Sequence, residues 1–245
     1  MDLHLKDKVA LVTGSASRIG YGRGIALTLA QEGCHIITAD IDLEGAQKTA
    51  DEVEALGVKA MAVKVDVTDR TSVDEMVNTV IDKFDRIDIL VNNAGASSPN
   101  QPFVDTEKPD WEIDINVNLL GQMNMAHAVL PHMISRKYGR IVNFSGGKGI
   151  PNLSIYGAAK AGVEAFTHSL AAEVARFGVI VNGLSPGLGD TGLIKGDTER
   201  QKEGYKKISM LNRLCTPEDV GPAVAFIASD VCSYMTGQIF PLRTL

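Results

Sequence analysis

The sequence has few of the residues that define specialised classes of protein. Aromatic residues make up 5% of the 245 residues, and cysteine occurs three times, at Cys34, Cys215 and Cys232. An odd and scattered set of cysteines is typical of a reducing compartment and not of a disulfide framework. No apolar run approaches the ~18 residues that a membrane span needs, and the amino terminus has no apolar core of signal-peptide length. We therefore expect a cytoplasmic protein without a membrane partner.

The chain also has fewer basic residues than acidic ones. The chain has 24 lysines and arginines against 30 aspartates and glutamates, so its formal net charge is −6. This charge disfavours nucleic acid or an anionic membrane as the main partner. With 44% apolar and 22% charged residues, the composition is that of an ordinary globular protein. The length is enough for one well-buried domain, which we expect to span residues 1–245.

Short apolar runs alternate with helical patterns along the whole chain. We predict strands at residues 8–13, 35–39, 59–65, 87–91, 140–144, 179–184 and 238–241. Helical periods separate them, including one at 109–136 that is interrupted near Asn118 and one at 154–177. Strands that are apolar throughout indicate a sheet covered on both faces. The predicted fold is a single doubly wound α/β Rossmann domain, with a mostly parallel seven-stranded sheet and its ligand crevice at the carboxyl ends of the strands.

Residues 188–210 are polar and show weak periodicity, with glycines at Gly192, Gly196 and Gly204. Two interpretations remain open for this segment. It is either a mobile lid over the crevice or a plain surface loop.

A glycine-rich loop joins the first predicted strand to the first predicted helix. Gly14, Gly20 and Gly22 would allow a pyrophosphate to approach backbone N–H groups and the amino end of the helix. This strand–loop–helix context is the one that a dinucleotide-binding loop requires. Arg18 lies in the same loop, where its guanidinium could bind a phosphate.

Asp40 stands at the end of the second predicted strand. A carboxylate at this place accepts hydrogen bonds from an adenosine ribose diol and repels a 2′-phosphate, so NAD is favoured over NADP. Arg18 argues for the opposite preference, and we give Asp40 more weight. The alternative is that Asp40 only caps the following helix.

Tyr156 and Lys160 lie four residues apart in a predicted helix, so their side chains share one face. A phenol is a poor base at neutral pH, but a neighbouring ammonium favours its ionised form. On spacing alone the pair is no more than the polar face of an amphipathic helix. The other features of the chain make it a candidate acid/base pair.

Taken together, these residues resemble the short-chain dehydrogenase/reductase family, and the resemblance covers nearly the whole chain. It rests on the order and spacing of short motifs, namely the glycine loop, Asp66-Val67, Asn92-Asn93-Ala94-Gly95, Asn118-Leu119, Ser145, Tyr156-x-x-x-Lys160 and Pro186-Gly187 followed by Thr191. It implies that Tyr156 is the general acid/base and that Lys160 lowers its pKa. Ser145 would hold the substrate oxygen, and Asn118 would unwind its helix and hold a water that links Lys160 to solvent.

The resemblance also implies a set of cofactor contacts and no metal. The adenosine end would contact Asp40, Asp66, Val67, Asn93, Ala94 and Gly95, and the phosphates would contact the glycine loop with Arg18. The nicotinamide end would contact Tyr156, Lys160, Pro186, Gly187, Gly189 and Thr191.

The chain departs from the family pattern at three places. The stretch from Gly14 to Gly20 is longer than usual and is similar to that of enoyl reductases, which place the lysine farther from the tyrosine. The interval from Ser145 to Tyr156 is shorter than usual, and counting forward from Gly139 puts the usual serine position at Gly146. Residues 240–245 lack the usual family ending.

We expect an NAD-dependent oxidoreductase that interconverts a secondary alcohol, or a hydroxyacyl thioester, and the ketone by hydride transfer. Two alternatives remain open, an NADPH-dependent 3-oxoacyl reductase and a non-catalytic subunit on the same fold. By analogy with the family we expect a homotetramer or homodimer.

Overall fold

The seven strands form one sheet in which every neighbouring pair is parallel. The computed structural model describes residues 1–191 and 199–242, apart from the side chains of residues 200, 201 and 208. The sheet order is β3-β2-β1-β4-β5-β6-β7. The strands are β1 (Val9–Thr13), β2 (His35–Asp40), β3 (Ala60–Lys64), β4 (Ile89–Asn92), β5 (Gly139–Phe144), β6 (Val179–Pro186) and β7 (Ile239–Leu242). The doubly wound prediction is confirmed, and the sheet is wholly parallel in the described residues.

Helices cover both faces of this sheet. They are α1 (Tyr21–Gln31), α2 (Leu43–Glu54), α3 (Arg70–Phe84), α4 (Lys108–Ile115), α5 (Gly121–Ser135), α6 (Ser154–Val174), α7 (Glu199–Ile208) and α8 (Pro217–Ile227). Apolar residues of α1, α2 and α8 share one core with the sheet, and those of α3, α5 and α6 share the other. None of the described helices has the length and apolar character that crossing a bilayer requires.

The continuous apolar runs of β1 to β6 arise because each of these strands contributes to both cores. In β1, Leu11 packs in the core under α3, α5 and α6, whereas Val12 packs in the core under α1 and α8. Both side chains are fully buried. Burial of one such side chain stabilises the fold by about 1.5–3 kcal/mol, so a polar face on β1 would leave one of the two helix layers without a partner.

The ligand crevice is set by the point where the chain order reverses. β1 pairs with β2 on one side and with β4 on the other, so the connections from these strands leave toward opposite faces. In open parallel sheets this arrangement opens a crevice at the carboxyl ends of the central strands. Gly14 follows β1 and Asn93 follows β4, so both lie at this edge.

Two predictions about the connecting segments have different outcomes. The predicted interruption near Asn118 is a turn of π-helix at Asn116–Leu120, between α4 and α5. For residues 188–210 the plain-loop alternative is wrong in part, because α7 occupies Glu199–Ile208, and the lid alternative stays a prediction. Residues 192–198 and 243–245 lie outside the described part of the chain, so the rest of that prediction and the end of the tail fall there.

Candidate active site

A cavity of about 550 Å³ opens at the crevice edge of the sheet. It brings together side chains and backbone from the connections that follow six strands, β1 to β6. Its lining includes thirteen of the predicted residues, Gly14, Gly20, Asp40, Asp66, Val67, Asn93, Ala94, Gly95, Ser145, Tyr156, Lys160, Pro186 and Thr191. Gly22, Asn118, Gly187 and Gly189 lie outside the lining but contact residues that form it. Arg18 does neither.

The glycine loop is folded tightly on itself and on the end of β4. Gly14 has a φ of +69°, and its carbonyl accepts a hydrogen bond from the Asn93 amide at 3.1 Å. A Cβ on Gly22 would lie 2.1 Å from that same carbonyl oxygen, so only glycine fits at 22. Gly20 precedes α1 and gives no side-chain cap. The first N–H groups of α1 are therefore available to an anionic group.

The carboxylate of Asp40 is fixed at the edge of the cavity. It accepts hydrogen bonds from the backbone N–H of Ala16 at 2.9 Å and of Asp42 at 3.1 Å. The helix α2 is capped by Asp42, whose side chain accepts from the N–H of Gly45. The alternative that Asp40 is merely the cap of this helix is therefore wrong, and its remaining lone pairs can accept from a ligand.

Arg18 is not a lining residue, although Ser17 and Gly20 of the same loop are. Its guanidinium pairs with Glu52 of α2, which also binds Arg23 with an Nε to Oε2 distance of 2.9 Å. These hydrogen bonds lower the pKa of Glu52 against the opposing effect of burial. Glu52 has no motif signal, because it meets Arg18 only through the packing of the loop on α2.

Tyr156 and Lys160 lie in the first two turns of α6, as the spacing predicts. The Lys160 side chain is buried, its Nζ donates a hydrogen bond to the Phe144 carbonyl at 2.9 Å, and it lies 5.6 Å from the centre of the Tyr156 ring. Burial lowers the pKa of Lys160 to about 8. Burial, with a further contribution from the Asp114 carboxylate, raises the pKa of the Tyr156 hydroxyl. The pKa of Tyr156 is therefore shifted upward, opposite to the lowering that the Lys160 ammonium was expected to cause.

Asn118 lies in the π-helical turn, and its side-chain carbonyl oxygen is available as a hydrogen-bond acceptor. Its Nδ2 donates to the carbonyl oxygens of Ala96 at 2.7 Å and Asp114 at 2.9 Å. Its Oδ1 is buried and has no hydrogen-bond partner among the described residues. A buried acceptor of this kind is where an ordered water is expected.

Ser145 lines the cavity, but its hydroxyl is already engaged. It donates to the Glu164 carboxylate at 2.5 Å, and the Lys160 carbonyl oxygen lies at 3.3 Å. The next two residues, Gly146 and Gly147, have φ angles of +107° and +68°. The predicted contact of Ser145 with a substrate oxygen stays a prediction.

Tyr21 lines the cavity and was not predicted from the sequence motifs. It stands between two glycines of the loop, and its hydroxyl donates across the cavity to the Gly187 carbonyl at 3.5 Å. A Cβ on Gly189 would lie 1.9 Å from that hydroxyl oxygen, which explains the glycine there. The only sequence signal was an aromatic ring inside a phosphate-binding pattern.

The fold agrees with comparisons to known proteins. A sequence model of the family described as enoyl-(acyl carrier protein) reductase matches residues 14–242. The chain is 39% identical over 240 residues to a 3-oxoacyl-[acyl-carrier-protein] reductase from Thermotoga maritima, covering 97% of this chain and 96% of that enzyme. It is 38% identical over 240 residues to a subunit of (2S)-[(R)-hydroxy(phenyl)methyl]succinyl-CoA dehydrogenase from Thauera aromatica, covering 96% of this chain and 94% of the subunit.

Among solved structures, an NAD⁺-bound xylitol dehydrogenase superposes with a TM-score of 0.92 at 30% identity, covering 99% of this chain and all of that one. The spacing of four between Tyr156 and Lys160 is retained here even though the glycine loop is long. The chain belongs to the short-chain dehydrogenase/reductase family of oxidoreductases, which use NAD(H) or NADP(H).

Proposed function

We propose that the protein interconverts a secondary alcohol, or a hydroxyacyl thioester, and the corresponding ketone, with NAD as the hydride carrier. One observation carries this proposal. The buried Tyr156–Lys160 pair and the fixed Asp40 carboxylate line the same cavity. One end of the cavity thus holds an acid/base pair and the other holds an acceptor for ribose hydroxyls.

The residues present fit a dinucleotide. The uncapped start of α1 offers N–H groups to a pyrophosphate, and Asp66 and Val67 border the cavity beyond Asp40 for the adenine. Asn93, Ala94 and Gly95 follow β4 beside the ribose position. Pro186, Gly187, Gly189 and Thr191 follow β6 at the opposite side, where the nicotinamide carboxamide would bind.

Tyr156 acts as the general acid/base in this proposal. In the oxidative direction its phenolate takes the proton of the substrate hydroxyl, and in the reductive direction its phenol returns that proton. When bound, oxidised nicotinamide supplies a positive charge and the acceptor for the hydride. Lys160 holds the ribose hydroxyls and favours the phenolate, and the free Asn118 Oδ1 holds the water that leads protons to solvent.

NAD is favoured over NADP by charge. Asp40 would repel a 2′-phosphate at close range. Arg18 is the loop cation that could offset this repulsion, and it is paired with Glu52. The xylitol dehydrogenase with a similar structure is itself bound to NAD⁺.

A 3-oxoacyl reductase that uses NADPH is the second candidate, because the Thermotoga maritima relative carries that reductase name. A non-catalytic subunit is the third, because the Thauera aromatica relative is a dehydrogenase subunit. The intact Tyr156–Lys160 pair favours a catalytic chain over the third candidate.

The assembly and compartment are part of the same proposal. Ile113 of α4 and Leu120, which follows that helix, each expose 43% of their surface, which suits burial in a homodimer or homotetramer. All three cysteines are free thiols, which suits the cytoplasm.

Fluorescence titration with NADH and NADPH, followed by turnover of a panel of secondary alcohols and 3-oxoacyl thioesters, tests these candidates. We expect NADH to bind at least about tenfold more tightly and NAD⁺ to be reduced with secondary alcohols. Tight NADPH binding with negligible NADH binding would contradict the role of Asp40. Cofactor binding without turnover of any substrate would favour the non-catalytic subunit.

A further inference from the structure

The turn that follows β5 is held at both ends by one carboxylate. The hydroxyl of Ser145 donates to Oε1 of Glu164 at 2.5 Å, and the ammonium of Lys148 donates to Oε2 of the same side chain. The side chain of Glu164 is 18% exposed and that of Lys148 is 33% exposed. The ion pair is thus partly shielded from solvent and is screened less than a pair on the open surface.

The two residues between these anchors need such a restraint. Gly146 and Gly147 both have positive φ angles, +107° and +68°. Glycine adopts this backbone freely and equally adopts many others, so a two-glycine turn has little preference of its own. The bonds from Ser145 and Lys148 to Glu164 supply the restraint that the glycine backbone lacks.

The restrained turn lies directly on the candidate acid/base residue. A Cβ on Gly147 would be 2.4 Å from Cε1 of Tyr156, so the backbone of the turn packs against the phenol ring. Tyr156, Lys160 and Glu164 follow one another at intervals of four along α6 and therefore share a face. The carboxylate and the catalytic pair are fixed by the same helix.

We propose that Glu164 is a positioning residue that clamps the turn of residues 145–148 against Tyr156, and that the Ser145 hydroxyl serves this clamp and not the substrate oxygen. A serine hydroxyl has one proton to donate. Ser145 gives that proton to Glu164, so it cannot donate to a substrate carbonyl without releasing the turn. Only the kinetic consequence of the clamp rests on the proposed function.

Hydrogen exchange of the peptide that covers residues 145–149 tests the clamp without any substrate. We expect Ser145→Ala, Lys148→Met and Glu164→Ala each to speed this exchange at least about tenfold, with Glu164→Gln as a milder variant. Glu173→Ala is the matched control, because Glu173 is an exposed glutamate on the same helix, and it should leave the exchange unchanged. Exchange at the native rate in the three variants would overturn the clamp, whatever the protein catalyses.

Turnover of the alcohol identified by the panel tests the positioning role. We expect Ser145→Ala and Glu164→Ala each to lower kcat about tenfold. The double variant should show no further loss of kcat, because each single variant already breaks the same hydrogen bond between Ser145 and Glu164. Ser145→Thr, which keeps the hydroxyl, should restore the rate.

The pH profile supplies a readout that general destabilisation would not move. Burial is the main cause of the raised pKa of Tyr156, so a loosened turn that admits water should lower the apparent pKa in kcat/KM equally in the Ser145→Ala and Glu164→Ala variants. Losses that add in the double variant would overturn the proposal. So would a hundredfold loss in Ser145→Ala with Glu164→Ala at the native rate, since Ser145 would then act on the substrate itself.

Discussion

At the scale of one residue, the burial of the Lys160 ammonium lowers the stability of the fold. Its side chain is 3% exposed, and burial lowers its pKa from 10.5 to about 8. One pKa unit corresponds to about 1.4 kcal/mol. The cation is therefore held in the fold at a cost in stability, and the role proposed for it beside Tyr156 accounts for that cost.

Replacing Lys160 with methionine should abolish turnover and stabilise the fold. At pH 7 we expect the free energy of unfolding to rise by about 1–2 kcal/mol, because the relief of the buried charge exceeds the lost hydrogen bond to Phe144. Between pH 8 and 10.5 the unfolded state binds more protons than the native protein at this site, so native stability rises with pH and the advantage of the variant shrinks. Urea unfolding at several pH values, with the exposed Lys64→Met as control, measures this. A variant less stable than the native protein at pH 7 would contradict it.

Glu52 should set cofactor preference through Arg18. The Glu52→Gln variant removes the charge that holds this guanidinium, so a 2′-phosphate can compete for it. We expect the Kd for NADPH to fall about tenfold, or about 1.4 kcal/mol, and the Kd for NADH to change less than about threefold. The matched control is Glu54→Gln, an exposed glutamate on the same helix. Equal changes for both cofactors would show that Glu52 does not discriminate between them.

At the scale of elements, α1 and α8 lie close together because each has a glycine where the two helices meet. A Cβ on Gly221 of α8 would lie 2.1 Å from Oγ1 of Thr28, and a Cβ on Gly24 of α1 would lie 2.4 Å from Cβ of Pro217. This close packing fixes the amino end of α1, where the pyrophosphate is proposed to bind.

Gly221→Ala should therefore destabilise the protein although alanine favours helices. We expect a loss of about 2 kcal/mol or more from overpacking between the two helices. Gly204→Ala is the control, because Gly204 is also helical but has no atom within 4 Å of an added Cβ. That change should raise stability by about 0.5–1 kcal/mol. Chemical denaturation of the two variants checks the contrast, and equal effects would contradict the tight α1–α8 contact.

The elements also show where sequence patterns stop being informative. α7 has a sequence rich in charged residues and is supported by local pairs such as Lys202 with Glu199 at 3.2 Å. It contains few apolar residues, so it gives only a weak form of the apolar pattern by which a helix is recognised. The buried strands and amphipathic helices, in contrast, follow directly from apolar periodicity.

At the scale of the whole molecule, the parallel sheet and the position of its crevice could be predicted because they depend on local patterns and on strand order. Tyr156 with Lys160, and Asp40 at the end of β2, could be predicted for the same reason. Glu52 and Glu164 could not, since each acquires its partners only when distant segments pack together. Ser145 was recognised by position, but its bond to Glu164 is visible only in the fold.

The most direct test is the oxidation of a secondary alcohol by NAD⁺, followed by NADH absorbance, in the native protein and in Tyr156→Phe. The variant keeps the ring that packs on Gly147 and loses only the hydroxyl that is proposed to transfer the proton. We expect kcat to fall at least about 10³-fold with NADH binding unchanged within about threefold. A fall of about 10³-fold lies within the usual contribution of a single acid/base group, about 10²–10⁴-fold. NAD-linked turnover that survives in Tyr156→Phe would show that Tyr156 is not the acid/base residue.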